Sequence, residues 1–117
     1  MPVSIVKHQG KDIVFTDYTH CKTPEETIRV VNEAEKFLLS YPGKALVLVD
    51  VTGARGSKEY MERAKEVSKR VSHKVEKRAV VGITGLKMIL FQGYTRIIKG
   101  NTRPFNSREE ALAFLVA

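Results

Sequence analysis

One cysteine in 117 residues, Cys21, leaves no partner for an internal disulfide and points to a reducing compartment, the cytoplasm. No apolar run approaches the ~20 residues that a membrane-spanning helix needs. The opening Met1-Pro2-Val3-Ser4 lacks the basic stretch and long apolar segment of a secretory signal. A cytoplasmic protein, not integral to a membrane, is therefore expected. The three histidines, His8, His20 and His73, are dispersed and none has a neighbour at metal-ligand spacing. His20 and Cys21 are adjacent, but adjacency alone does not turn an imidazole toward a thiol. Gly53-Ala54-Arg55-Gly56 has neither the Gly-Lys-Ser/Thr ending of a phosphate loop nor the third glycine of a dinucleotide fingerprint. No catalytic set, metal or cofactor is expected, and the chain does not read as an enzyme. Linkers and low-complexity tracts are also missing, so residues 1–117 read as a single domain around one core.

Acidic residues are the minority. The formal net charge is +7, which admits nucleic acid, an anionic membrane or an acidic protein as partner. The basic residues are interleaved with glutamates, however, which favours a solvated surface. Lys65, Lys69, Arg70, Lys74, Lys77 and Arg78 form a basic row with no aromatic residues between them for stacking on bases. On this pattern nucleic acid is not the expected partner, and the row reads as a solvated helix face.

What the chain does carry is one phrase written twice. Val49-Asp50-Val51-Thr52-Gly53 and Val81-Gly82-Ile83-Thr84-Gly85 each end an apolar run with Thr-Gly and open into a helical pattern, and they start 81 − 49 = 32 residues apart. That is the length of a strand-helix-strand crossover. Parallel strands of such a unit end side by side, so both corners should share one rim of the sheet, where open α/β sheets place their binding chemistry.

Around these phrases the elements fall in order. Ser4–Val6 and Ile13–Phe15 flank Gln9-Gly10-Lys11-Asp12 as a hairpin. Thr23-Pro24-Glu25-Glu26 opens a helix with a cap, a proline at its first position and a capping box. Val30, Val31, Ala34, Phe37, Leu38 and Tyr41 form its inner face, and Pro42-Gly43 ends it. Ala45–Val49 reads as a strand buried on both sides. Ser57 caps a second helix with Tyr60, Ala64, Val67, Val71 and Val75 inward. Arg78–Ile83 is the next strand, and a third helix is predicted over 86–99. Arg103-Pro104-Phe105 fits an edge strand, and Ser107-Arg108-Glu109-Glu110 is a capping box for a short last helix. The fold class is α/β: a mixed, mostly parallel sheet with an N-terminal hairpin, covered by about four helices.

This order, with Thr23-Pro24-Glu25-Glu26, Tyr41-Pro42-Gly43-Lys44, Val49–Arg55, Val80–Leu86 and Ser107–Ala111, resembles the STAS superfamily, named for sulfate transporters and anti-sigma-factor antagonists. The closer resemblance is to its SpoIIAA-like, STAS/CRAL-TRIO-like branch. The resemblance implies a non-enzymatic cytoplasmic regulatory module that binds a partner protein. It also implies a serine switched by phosphorylation at the start of the second helix, normally preceded by aspartate. Here Gly56 precedes Ser57, so the Asp-Ser pair is missing and no phosphoswitch is expected.

The candidate contact residues are Asp50, Thr52, Arg55, Ser57 and Thr84. Arg55 could clamp a carboxylate or phosphate, with the threonines donating hydroxyl contacts. Equally, Asp50 and the threonines could only shape tight turns. The third predicted helix is apolar nearly all round, and Met88, Phe91, Tyr94 and Ile98 cannot all share its inner stripe with Leu86, Ile89, Leu90, Gly93 and Ile97. These four are interface candidates, for a homodimer or another protein. The sequence thus reads as a protein-binding module that self-associates as a homodimer, with a carrier of a small hydrophobic or anionic ligand (lipid-like or nucleotide) as the alternative.

Overall fold

The computed structural model of the chain describes residues 2–83 and 102–117. Strands β1 (Val3–His8) and β2 (Lys11–Asp17) form the hairpin, and Gln9 and Gly10 between them both take positive φ, 51° and 78°. Two left-handed residues in a two-residue loop are the geometry that matches strand twist, and glycine adopts it without a Cβ clash.

Helix α1 (Pro24–Ser40) starts where the sequence places it, with the Thr23 hydroxyl accepting from the Glu26 amide. The returning arm differs from a standard capping box: Glu26 Oε1 accepts from the Lys22 amide and the Thr23 hydroxyl. Val30, Val31, Ala34 and Leu38 are buried, and Tyr41 is the C-cap. Strand β3 (Ala45–Asp50) follows, then helix α2 (Lys58–Val71), a 3₁₀ turn (Ser72–Lys74) and strand β4 (Val75–Val81). The sequence extended α2 to Val75 and started the strand at Arg78. The helix in fact ends at Val71, and Val75 opens β4 while still packing on the same core as Val67 and Val71. Strand β5 (Thr102–Phe105) and helix α3 (Arg108–Val116) complete the described chain. Three helices are thus described; the helix predicted over 86–99 lies outside the described residues, as do Thr84, Met88, Phe91, Tyr94 and Ile98.

The sheet order is β1-β2-β3-β4-β5, with β1 antiparallel to β2 and every other pair parallel. Strands β3 and β4 are adjacent and co-directional, with Val49 opposite Val80 and Asp50 opposite Val81. Alternation along the strands divides the interior in two. Val14, Val47, Ala64, Val67 and Val71 meet under α1 and α2, while Ile13, Leu46, Leu48, Ala79 and Val81 meet Ala111 and Leu115 of α3 on the opposite face. No helix among the described residues is long and apolar enough to cross a membrane.

Candidate functional site

The two Thr-Gly phrases touch. The Val51 amide donates to the Val81 carbonyl at 2.9 Å, continuing the β3–β4 ladder past the end of β3. The Ala54 amide then donates back to the Val51 carbonyl at 3.0 Å, closing a tight turn with Gly53 at φ +77°. Glycine at that third position is what a type II turn requires. Across from it, Gly82 has φ +95°, and a Cβ there would overlap the Thr52 backbone and hydroxyl. Thr52 therefore packs onto the bare backbone of the second phrase.

Asp50, at the end of β3, is buried. Its Oδ1 accepts from the Thr52 amide at 2.9 Å and its Oδ2 from Arg108 Nε at 2.7 Å. Burial pushes the Asp50 carboxyl up, but the Thr52 hydroxyl and amide together with the Arg108 guanidinium outweigh it and hold the group below its ordinary value of 3.8. Arg108 in turn lies over the Phe15 ring, 4.7 Å from its centroid, a cation–π contact. Asp50 is thus a structural anion that ties the start of α3 to the strand ends. Arg108 was missed in the sequence, where it stands inside a capping box. The available signal was its sign, since a cation in the first turn of a helix opposes the macrodipole and needs a carboxylate elsewhere.

Arg55 and Ser57 lie in the loop from β3 to α2. Arg55 is exposed; Ser57 is half-buried, and its hydroxyl accepts from the Tyr60 amide at 3.1 Å as the N-cap of α2. Asp50 and Arg55 thus serve different faces of the sheet: the carboxylate is committed to α3, while Arg55 borders a cavity beneath α1 and α2.

That cavity has a volume of about 150 Å³. Val47, Val49 and Val80 of the sheet form its floor, and Val31, Ala34 and Leu38 of α1 with Ala64 and Val67 of α2 form its roof. The space has a sequence cause: Ala34 and Ala64 present methyl groups where leucines would fill the gap. Tyr18 and Tyr60, packed edge to face at 5.5 Å between centroids, also line it. Among the described residues two arginines and no carboxylate line the cavity: Arg55 and Gly56 at the exposed loop, and Arg78 within. Arg78 is buried, and its Nη1 lies 3.4 Å from the Ser68 hydroxyl.

Arg78 corrects the reading of the basic row as one solvated face. Its neighbours in the row are also engaged: Arg70 Nε donates to Glu35, Lys74 Nζ to the Tyr41 carbonyl, and Lys77 Nζ to the Phe114 and Ala117 carbonyls at the end of α3.

Cys21 is buried, and burial pushes its thiol up, with the Glu26 and Asp17 carboxylates adding to the shift. It is a packed thiol rather than a thiolate. His20 points to solvent, its Nε2 3.8 Å from Asp17 Oδ2. Among the described residues no group of three or more His, Cys, Asp or Glu side chains is placed to hold a metal ion.

No protein-family model matches the chain, and no curated protein matches it. Among solved structures, it is similar to the crystal structure of an uncharacterized protein from Shewanella loihica, a DUF3478-family protein with a SpoIIAA-like fold. The TM-score is 0.71 at 17% sequence identity, covering 97% of this chain and 91% of that one. The expected resemblance holds at the level of architecture: the strand order, hairpin and crossovers described above are a SpoIIAA-like fold.

Proposed function

We propose that this chain is a non-enzymatic binding module that holds a small, largely apolar molecule in the cavity between the sheet and helices α1 and α2. One observation carries the reading: a cavity of about 150 Å³, walled by valine, alanine and leucine side chains and bordered by the exposed Arg55-Gly56 loop. An apolar cavity of roughly this size accepts a benzene-sized molecule. Such a space costs stability when empty, since its lining forgoes van der Waals partners.

The test is thermal unfolding in the presence of toluene, with Ala64→Leu as the filled control. Binding to the native state alone raises Tm with ligand concentration. The expected result is a concentration-dependent rise for the wild-type protein and none for Ala64→Leu. No rise in the wild-type protein removes the reading.

A protein partner is the second reading, supported by the exposure of Thr52 and Arg55 together at the strand-end rim. A second copy of the chain, meeting through Met88, Phe91, Tyr94 and Ile98, is its simplest form. Light scattering at high micromolar concentration tests it, and a clean monomer removes that form.

A further inference from the structure

We propose that the open edge of β1 pairs with β1 of a second copy of this chain, antiparallel and two-fold about Ile5, so that the partner's Lys7 meets the carboxylates beside Pro2, Glu33 among them. The inference goes beyond both readings above: it uses neither the cavity under α1 and α2 nor residues 86–99.

Strand β1 ends the sheet, and it pairs with β2 in unbroken register. The Asp17 amide donates to the Pro2 carbonyl at 2.7 Å, which fixes the parity of that ladder. Pro2, Ser4, Val6 and His8 turn their main-chain groups toward β2, so Val3, Ile5 and Lys7 turn theirs outward. A row of unpaired donors and acceptors is a template for another strand. The opposite edge is blunted, since β5 is short and includes Pro104. Val3–His8 has neither proline nor bulge. Ile5 and Val6, on its opposite faces, are two of the three large apolar side chains that the described residues leave exposed.

The occupant follows from self-complementarity. Among two-fold antiparallel registers, the one centred on Ile5 engages all three outward residues: Ile5 with the partner's Ile5, and Val3 with the partner's Lys7. Each such pair exchanges two main-chain hydrogen bonds. Cross-strand partners share a face, and Val3 packs into the core beneath α1. The partner's Lys7 therefore stands on that face, beside α1. The surface there is acidic. Asn32 and Glu35 turn one flank of α1 to Arg63 and Arg70 of α2. Glu26 and Glu33, one heptad apart, lie on the other flank. They line a cavity with Pro2 and Asp17, and these three carboxylates outnumber Arg29 in its lining. Glu33 Oε2 is buried without a hydrogen-bond partner among the described residues, a costly state for a carboxylate oxygen. Lys7 is weakly held within its own chain: its ion pair with Asp12 is 3.7 Å long and solvent-exposed. Its flexible four-carbon stem lets the ammonium reach a carboxylate across the strand pair.

Sedimentation velocity on the full chain should show a concentration-dependent dimer. Ile5→Pro should abolish it without breaking the β1–β2 ladder, because the Ile5 amide points away from β2. Lys7→Glu should weaken the dimer at least about tenfold by setting like charges together, and adding Glu33→Lys to the same chain should restore most of the loss. The register has its own readout. Ile5 and its two-fold mate lie about 5.5 Å apart at Cα, within disulfide reach, so Ile5→Cys should form a covalent dimer under mild oxidation. Val6→Cys, which faces the partner's Ser4, should not, and the buried Cys21 makes the parent chain the blank. Should Ile5→Pro not fold, the two cysteine variants decide. A monomer at every concentration, a dimer that survives Ile5→Pro, cross-linking through Val6→Cys in place of Ile5→Cys, or a charge swap that restores nothing would each overturn the proposal. A dimer that survives Ile5→Pro moves the association to another surface and leaves the protein-partner reading standing. The toluene effect on Tm is independent of all these outcomes.

Discussion

Arg108 and Asp50, 58 residues apart in sequence, meet through Nε and Oδ2 at 2.7 Å. The pair is asymmetric: the aspartate side chain is 5% exposed and the arginine 49%. Removing the exposed partner strands the buried one. Arg108→Met should destabilise the fold by about 1–2 kcal/mol, below the ~3–5 kcal/mol of a fully enclosed pair because water screens half of the guanidinium. The pair also sets an acid dependence. The folded Asp50 pKa is depressed below 3.8, so its contribution is fully present above that value and is lost as pH falls through the folded value. Urea denaturation at pH 7 and at about pH 3 should show a smaller acid loss in Arg108→Met than in the wild-type protein. Equal losses would separate Asp50 from Arg108.

Gly82 and Gly53 both take positive φ, at +95° and +77°, but in different surroundings. A Cβ on Gly53 meets open space; one on Gly82 meets the Thr52 amide, Cα and hydroxyl. Gly53→Ala should therefore cost only the left-handed penalty, about 1–2 kcal/mol. Gly82→Ala should cost more, about 3 kcal/mol, because backbone atoms must also move. Chemical denaturation of the two variants compares them directly, and equal costs would show that the corners do not bear on each other.

The repeat phrase, the hairpin turn and all three described helix caps were legible because each is a local rule. Thr23, Ser57 and Ser107 sit where a hydroxyl can accept from the amide three residues on, and such signals need no tertiary context. The parallel pairing of β3 and β4 followed from the length of the crossover between them. The functional geometry was less accessible. Asp50 and Arg55 are five positions apart, yet the strand ends between them, so alternation no longer governs which face each serves. Arg78 looked like the last member of a solvated row because Lys74 and Lys77 precede it. Its burial depends on β4 starting at Val75 rather than three residues later, and strand starts are poorly marked in apolar runs. The cavity depends on Ala34 and Ala64 from two helices facing one another, which periodicity marks as inward without revealing how much space they leave.

Ser57 resembles a modification site by position, but its hydroxyl is already engaged with the Tyr60 amide. Ser57→Ala should cost about 1 kcal/mol, and Ser57→Asp should be nearly neutral because aspartate caps equally well. Thermal unfolding of the two variants distinguishes a cap from a bystander. If Ser57→Ala unfolds like the wild-type protein, the cap contributes nothing and the hydroxyl is free for another role.

Glu35 joins the two helices that roof the cavity. Its Oε1 accepts from Arg63 at 3.3 Å and its Oε2 from Arg70, while Arg63 Nε also donates to Asn32 at 2.7 Å. The Arg70 hydrogen bond and the two guanidinium charges outweigh burial and hold the Glu35 carboxyl below its ordinary 4.5. Its contribution is therefore present above that value and fades as pH drops through the folded value. Glu35→Gln keeps the shape and removes the charge. Both arginines are substantially solvated, so the effect should be small: a fall in Tm of less than about 5 °C at neutral pH. The deficit should shrink at high salt, which screens exposed ion pairs. It should also shrink as pH falls through the folded value of the carboxyl, where the wild-type side chain protonates and loses the same interaction. A Glu35→Gln deficit independent of both salt and pH would mean that packing, not charge, holds α1 to α2.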